Sequence, residues 1–237
     1  MDDWKLEPAR DLGLPLKDRA RSLRREDGLI ETLLHWSWWL VIGAYLKSYH
    51  RLEISGCERL PARPPFVLVA NHASHLDALV LAAALPARIR HRVFPIAAGD
   101  TFFQTPATAA FAAFALNALP MWRKHCGPHA LHELRKRLVN EPCAYILFPE
   151  GTRTRDGQMN RLKPGMGMLV AGTDVPVVPS YLSGCFTAWP PDARVPRPRK
   201  IRLRIGEAVS FEATPDARDG WEFIAKELER RIHDLSS

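Results

Sequence analysis

The amino-acid sequence predicts an α/β fold: a central, mostly parallel sheet flanked by helices, with an apolar helical extension at the N-terminus. Three observations predict it. Short apolar runs rich in β-branched and aromatic residues alternate with longer helical patterns. Two of those runs lead straight into turns that carry His, Asp, Glu and Arg. The length of 237 residues suits one α/β domain with a sizeable core. The division that follows is an N-terminal arm and helix over 1–49 and an α/β domain over 50–237.

Residues 1–16 contain Pro8, Gly13 and Pro15 and form an irregular arm. Residues 17–27 carry Lys17, Arg19, Arg21, Arg24 and Arg25. Residues 29–46 predict a helix that is apolar nearly all round and holds Trp36, Trp38, Trp39 and Tyr45. Its uncharged stretch, 32–46, is 15 residues, short of the ~20 that span a bilayer. Basic residues followed by an indole-rich helix suit the interface of an anionic membrane; packing against the domain, or a true span, are the alternatives.

A strand is expected over 51–55 and a central one over 66–70. Residues 77–85 predict a helix ended by Pro86, and 92–97 another strand. Residues 107–118, uncharged and rich in Ala and Phe, predict a buried helix between Pro106 and Pro120. A basic-faced helix over 128–140, strands over 143–148 and 175–181, an edge or half-exposed strand over 201–205 and an amphipathic helix over 219–235 complete the series. Residues 190–198, rich in Pro and Arg, suit a surface connection.

The formal charge of +7 implies an acidic partner: nucleic acid, an anionic membrane or a phosphate-bearing substrate. Nucleic acid is disfavoured, because the aromatics sit in apolar runs and are not interleaved with the basic residues. Cys57, Cys126, Cys143 and Cys185 form no Cys-x-x-Cys pair and suit reduced thiols. The start of the chain carries no early apolar core of a secretory signal. His125, His129 and His132 lack the companions of a metal site, and no metal is expected. No Gly-x-Ser-x-Gly elbow, Walker loop or dinucleotide fingerprint is present.

The chemistry concentrates in two turns. Asn71-His72-Ala73-Ser74-His75-Leu76-Asp77 lies between the strand over 66–70 and the helix that follows. Five residues apart on one helix, His72 and Asp77 would not share a face. With His72 on the turn and Asp77 at the helix start, the carboxylate reaches back to one imidazole nitrogen and leaves the other to accept a proton. Asn71, Ser74 and the N–H groups of the helix start are candidates to stabilise an oxyanion. Taken alone, this spacing fits a capped helix beside a satisfied surface histidine better than a catalytic pair. The second turn is Phe148-Pro149-Glu150-Gly151-Thr152-Arg153-Thr154-Arg155, after another apolar run. Gly151 permits a tight turn, and Arg153, Arg155 and Lys163 offer cations that match a phosphate.

Together, Asn-His-x-Ser-x-x-Asp and Phe-Pro-Glu-Gly-Thr-Arg resemble the glycerolipid acyltransferases, the family that includes 1-acyl-glycerol-3-phosphate acyltransferases. The resemblance covers about residues 50–210. It implies an O-acyltransferase, with acyl-CoA or acyl carrier protein as donor substrate, a lysophospholipid as acceptor and no cofactor. His72 and Asp77 become the catalytic pair, and Glu150, Gly151, Thr152 and Arg153 the acceptor-binding block. Arg155 and Lys163 extend that block. Asn117–Arg123 occupies the place of a looser block ending in arginine, which makes Arg123 a substrate-binding candidate; the glycine and acidic residue often found before it are missing. A place on the cytoplasmic side of a membrane, peripheral or monotopic, is expected. Two other readings stay open: a thioester or lipid hydrolase using Ser74 or water, and a non-catalytic lipid-binding protein.

Overall fold

The computed structural model describes residues 29–98, 117–121 and 128–236. Helix α1 (Leu29–Ser48) precedes β1 (Glu53–Ser55), β2 (Phe66–Ala70), α2 (Asp77–Ala84), α3 (Ala87–Arg90) and β3 (Val93–Ala98). There follow β4 (Leu119–Met121), α4 (Pro128–Asn140), β5 (Ala144–Leu147), α5 (Gly167–Val170), β6 (Val177–Ser183), α6 (Cys185–Ala188), β7 (Arg202–Ile205) and α7 (Arg218–Asp234). The seven strands form one sheet in the order β1-β7-β6-β2-β5-β3-β4. Every neighbouring pair is parallel except β6 and β7. The mostly parallel sheet read from the sequence is the one found.

The central strands are apolar on both faces because helices cover both faces. Along β2, Phe66, Leu68 and Ala70 enter one core, and Val67 and Val69 enter the other. Strand β5 divides in the same way, Ala144 and Ile146 from Tyr145 and Leu147. The first core is closed by residues of α1, α2, α3 and α6, the second by residues of α4, α5 and α7. The basic-faced helix over 128–140 closes that second core through Leu134 and Leu138.

Three expectations change. The strand over 201–205 is half-exposed but is not an edge, since β1 pairs outside it. Residues 119–121 form a strand beside β3. Asn117 and Ala118, expected at the end of a helix, lead into that strand; Asn117 has φ 53° and its amide donates to His91 O and Val93 O. Asn tolerates this left-handed conformation where most residues do not. The remainder of the helix expected over 107–118, the arm and basic segment over 1–27, and Cys126 lie outside the described residues. The described cysteines Cys57, Cys143 and Cys185 are free thiols.

Helix α1 is joined to the domain along one stripe. Trp39, Ile42 and Leu46, at helical spacing, are buried in the first core, and Arg90 lies over the Trp39 ring, 5.1 Å from its centroid. Trp38 is half-buried against the same core. Trp36, Leu40 and Val41 are exposed. Among the described residues no helix is long and apolar enough to cross a membrane.

Candidate active site

The two chemistry-bearing turns meet because β2 and β5 are neighbours. Val69 pairs with Leu147, so continuing the register sets His72 level with Glu150. Both turns leave the C-terminal edge of the sheet centre, where open α/β sheets bind ligands.

In the first turn the His72 ring Nδ1 is 2.8 Å from Asp77 Oδ2. Asp77 is the first residue of α2 and fully buried. The same carboxylate oxygen accepts the N–H groups of Ala73 (2.6 Å) and Ser74 (2.8 Å). Acting as acceptor, it fixes the His72 proton on Nδ1 and leaves Nε2 with its lone pair. The ring stacks on Phe148, centroids 4.2 Å apart and planes at 18°, and is partly open to solvent.

Asn71 and Ser74 face inward. Asn71 Nδ2 donates to Leu182 O (3.0 Å) and Leu182 N–H donates to Asn71 Oδ1 (2.8 Å), so the side chain clips the end of β2 to β6. Ser74 is buried, donates from Oγ to Trp189 O (2.8 Å) and accepts the Leu76 N–H. The fully buried Cys185 thiol lies against Asp77. Burial first, then the Asp77 charge, push it well above the ordinary thiol range.

In the second turn Glu150 is 3% exposed. Its Oε1 accepts the His72 N–H (2.6 Å), and its Oε2 accepts the Asn160 N–H (2.8 Å) and Nδ2 (2.9 Å). Burial pushes this carboxyl upward while those N–H groups pull it back. Thr154 N–H donates to His72 O (2.9 Å), a second stitch between the turns. Gly151 adopts φ +75°, and a Cβ there would lie 2.7 Å from Lys163 Nζ. The positive φ, which L side chains rarely adopt, is what favours glycine at this position. Lys163, Arg155 and Thr152 are exposed, and among the described residues no hydrogen bond or ion pair uses the Arg155 or Lys163 side chain. Lys163 is followed by a 3-10 turn, Pro164–Met166, that runs into the four-residue α5. Arg153 is half-buried, its Nη1 2.5 Å from His75 Nε2. Arg123 lies outside the described residues.

The structure therefore gathers His72, Asp77, Glu150, Gly151, Arg153 and Lys163 at one edge, with Asn71 and Ser74 beneath them. It adds Phe148, Asn160, His75 and Trp189, which sequence reasoning left without a role. His75 carried a signal, a second imidazole in the same short turn. Asn160 carried none.

A family model described as Acyltransferase matches residues 51–183, more than half of the chain and both turns. The chain belongs to the Acyltransferase family. Two relatives are the 1-acyl-sn-glycerol-3-phosphate acyltransferase alpha of Homo sapiens, 31% identical over 169 residues, and that of Mus musculus, 29% identical over 170. Each alignment covers 70% of this chain and 58% of the relative, so the chain spans under two thirds of those proteins. The crystal structure of the 1-acyl-sn-glycerophosphate acyltransferase PlsC from Thermotoga maritima shares the fold, with TM-score 0.65 and 24% identity over 87% of this chain and 80% of that one. In the Acyltransferase family frame, the matched segment runs from just before β1 to the end of β6 and includes the His72–Asp77 pair.

Proposed function

We propose that this chain is an O-acyltransferase that moves a fatty acyl group from acyl-CoA or acyl carrier protein to the hydroxyl of a lysophospholipid, with 1-acyl-glycerol-3-phosphate as acceptor and phosphatidic acid as product. The observation that carries the reading is the His72–Asp77 pair, 2.8 Å apart, with Asp77 fully buried and the outer imidazole nitrogen unengaged among the described residues. His72 Nε2 removes the acceptor's hydroxyl proton as its oxygen attacks the thioester carbonyl. Asp77 holds the tautomer and stabilises the imidazolium. The tetrahedral intermediate collapses, the C–S bond breaks, and the thiolate takes the proton from His72. Ester and free thiol leave, and the histidine returns to its starting state.

A single displacement is favoured because no protein nucleophile faces His72 among the described residues. The Ser74 hydroxyl donates to Trp189 O, and the Cys185 thiol is buried. The same observation weighs against a Ser74 hydrolase. Arg153, Arg155 and Lys163 suit the acceptor's phosphate, and the relatives' names point to the same acceptor class. The deciding experiment incubates the protein with labelled palmitoyl-CoA and a lysolipid panel, followed by mass spectrometry. Acceptor-dependent phosphatidic acid supports the reading; free palmitate with or without acceptor overturns it in favour of a hydrolase.

The exposed positions Trp36, Leu40 and Val41 suit contact with a bilayer interface, from the cytoplasmic side and without a span. Replacing Trp36 and Leu40 by Ser should weaken pelleting with anionic vesicles at high salt and leave the melting temperature within a few degrees of wild type. Unchanged pelleting would assign that face another role.

A further inference from the structure

His75 has no part in the mechanism above, yet it touches Arg153, one of the cations that suit the acceptor's phosphate. Its ring is half-buried, 5.2 Å from the Trp189 ring and tilted 54° to it. Its Nε2 lies 2.5 Å from Arg153 Nη1. A guanidinium has only N–H donors, so Nε2 must present a lone pair and a neutral ring must carry its proton on Nδ1. A protonated ring would set two cations against each other. Burial first, then the charges of Arg153 and His72, push His75 down to about 4, with Asp77 opposing. His75 is therefore a neutral acceptor throughout the neutral range.

That choice of partner has a consequence for Arg153. A carboxylate at this distance would orient the guanidinium and also cancel its charge, and an incoming phosphate would have to compete with it. An imidazole orients without cancelling. Among the described residues Arg153 forms no ion pair, so its charge stays available to an anion. Burial lowers its own proton affinity and Asp77 restores part of it.

The structure assigns His75 as a positioning residue that fixes the Arg153 guanidinium for the phosphate of the acceptor while leaving its charge unneutralised, and so sets preference for phosphate-bearing over phosphate-free acceptors. This assignment rests on the acyltransferase reading.

The test uses the full chain, with one readout that does not depend on turnover. In ring-nitrogen NMR of labelled protein, His75 should appear as the neutral Nδ1–H tautomer at pH 7 and stay neutral to about pH 5. Arg153→Leu should shift its titration upward. An Nε2–H tautomer, or a titration indifferent to Arg153→Leu, overturns the assignment. In kinetics, His75→Gln keeps an acceptor atom and should hold the KM for 1-acyl-glycerol-3-phosphate within about threefold of wild type. His75→Phe should raise it about tenfold, the scale of a lost bond to a charged group, with the donor KM and kcat nearly unchanged. With a monoacylglycerol lacking phosphate, His75→Phe and wild type should differ little. Equal loss with both acceptors, or loss confined to kcat, makes His75 merely structural and overturns the assignment. If wild type transfers no acyl group at all, the activity reading fails, and the NMR arm still decides whether the His75–Arg153 contact exists.

Discussion

The turns after β2 and β5 stand level with each other at the edge of the sheet, yet their polar residues are deployed in opposite directions. In the first, Asn71, Ser74 and Asp77 all point into the protein and bond to Leu182, Trp189, Ala73 and Ser74. His72 alone among them presents a nitrogen that is unengaged among the described residues. In the second, Glu150 and Thr154 point inward, while Arg155 and Lys163 are exposed. The first turn builds a rigid frame around one imidazole. The second keeps a rigid root and extends cations from it. The lesson is that most polar residues in such a motif make the turn, and few are left to meet a substrate. A misplacement of about 1 Å at a reacting group can cost two orders of magnitude, so a heavily bonded frame suits the proton transfer proposed for His72, whereas the phosphate contact proposed for the second turn tolerates mobile cations.

The largest expected effect tests the His72–Asp77 pair of the first turn. His72→Ala should lower kcat by about 10²- to 10⁴-fold, the usual range for a positioned acid–base group, with circular dichroism and melting temperature unchanged. Asp77→Asn should cut kcat strongly as well, because the imidazole loses the acceptor that fixes its tautomer. Turnover like wild type in His72→Ala would end the general-base mechanism.

Asn71, buried in the same turn but not bonded to His72, should respond differently. Asn71→Ala leaves the Leu182 N–H and C=O without partners in a buried place, at a cost of about 1–3 kcal/mol. The expected readout is a lower denaturation midpoint, with the acceptor KM little changed in the folded fraction. A stable Asn71→Ala protein with a raised acceptor KM would mean that this amide touches substrate and that the contrast between inward and outward residues is misdrawn.

Much of this arrangement was visible in the sequence, and the missing parts have physical reasons. Strands β2 and β5 stand out because buried parallel strands are continuous apolar runs, here ended by Asn71 and by Pro149. The His72–Asp77 contact follows from where a strand ends and a helix begins. The inward direction of Asn71 does not, because it depends on Leu182, which is 111 residues away in sequence. Strand β4 was hidden by its three-residue length, by Pro120 within it and by the alanine-rich stretch before it. The tryptophans of α1 looked alike in sequence. A helix apolar on every side carries no periodic signal to select its buried stripe, and only the fold separates buried Trp39 from exposed Trp36.

The outward cations of the second turn should give smaller effects than the frame. Lys163→Ala and Arg155→Ala should each raise the acceptor KM about three- to tenfold at low salt, and less at high salt, since exposed charges are screened within about 10 Å at 0.1 M. The donor KM should not follow. Steady-state kinetics at two ionic strengths separate the cases: salt-independent losses would place these side chains inside the packed part of the turn.

The smallest effect is on stability, where the turns meet through His75 and Arg153. In the folded protein His75 titrates at about 4, against 6.5 for the free side chain. Between those values the unfolded chain binds a proton that the folded chain refuses, so stability must fall as pH drops from about 6.5 to about 4 and level off below. The groups facing His75 that enter this balance are Arg153 and His72, which disfavour the proton, and Asp77, which favours it. Other groups titrate in the same interval: burial raises Glu150 and lowers His50. The informative quantity is thus the difference between wild type and His75→Gln in urea midpoints across pH 4–7. His75→Gln should show the shallower loss toward acid, with the two curves closest above pH 6.5. Parallel curves over the whole range would mean that His75 titrates as an exposed imidazole, and the two turns would then be joined by Glu150 and Thr154 without any contribution from the His75–Arg153 contact.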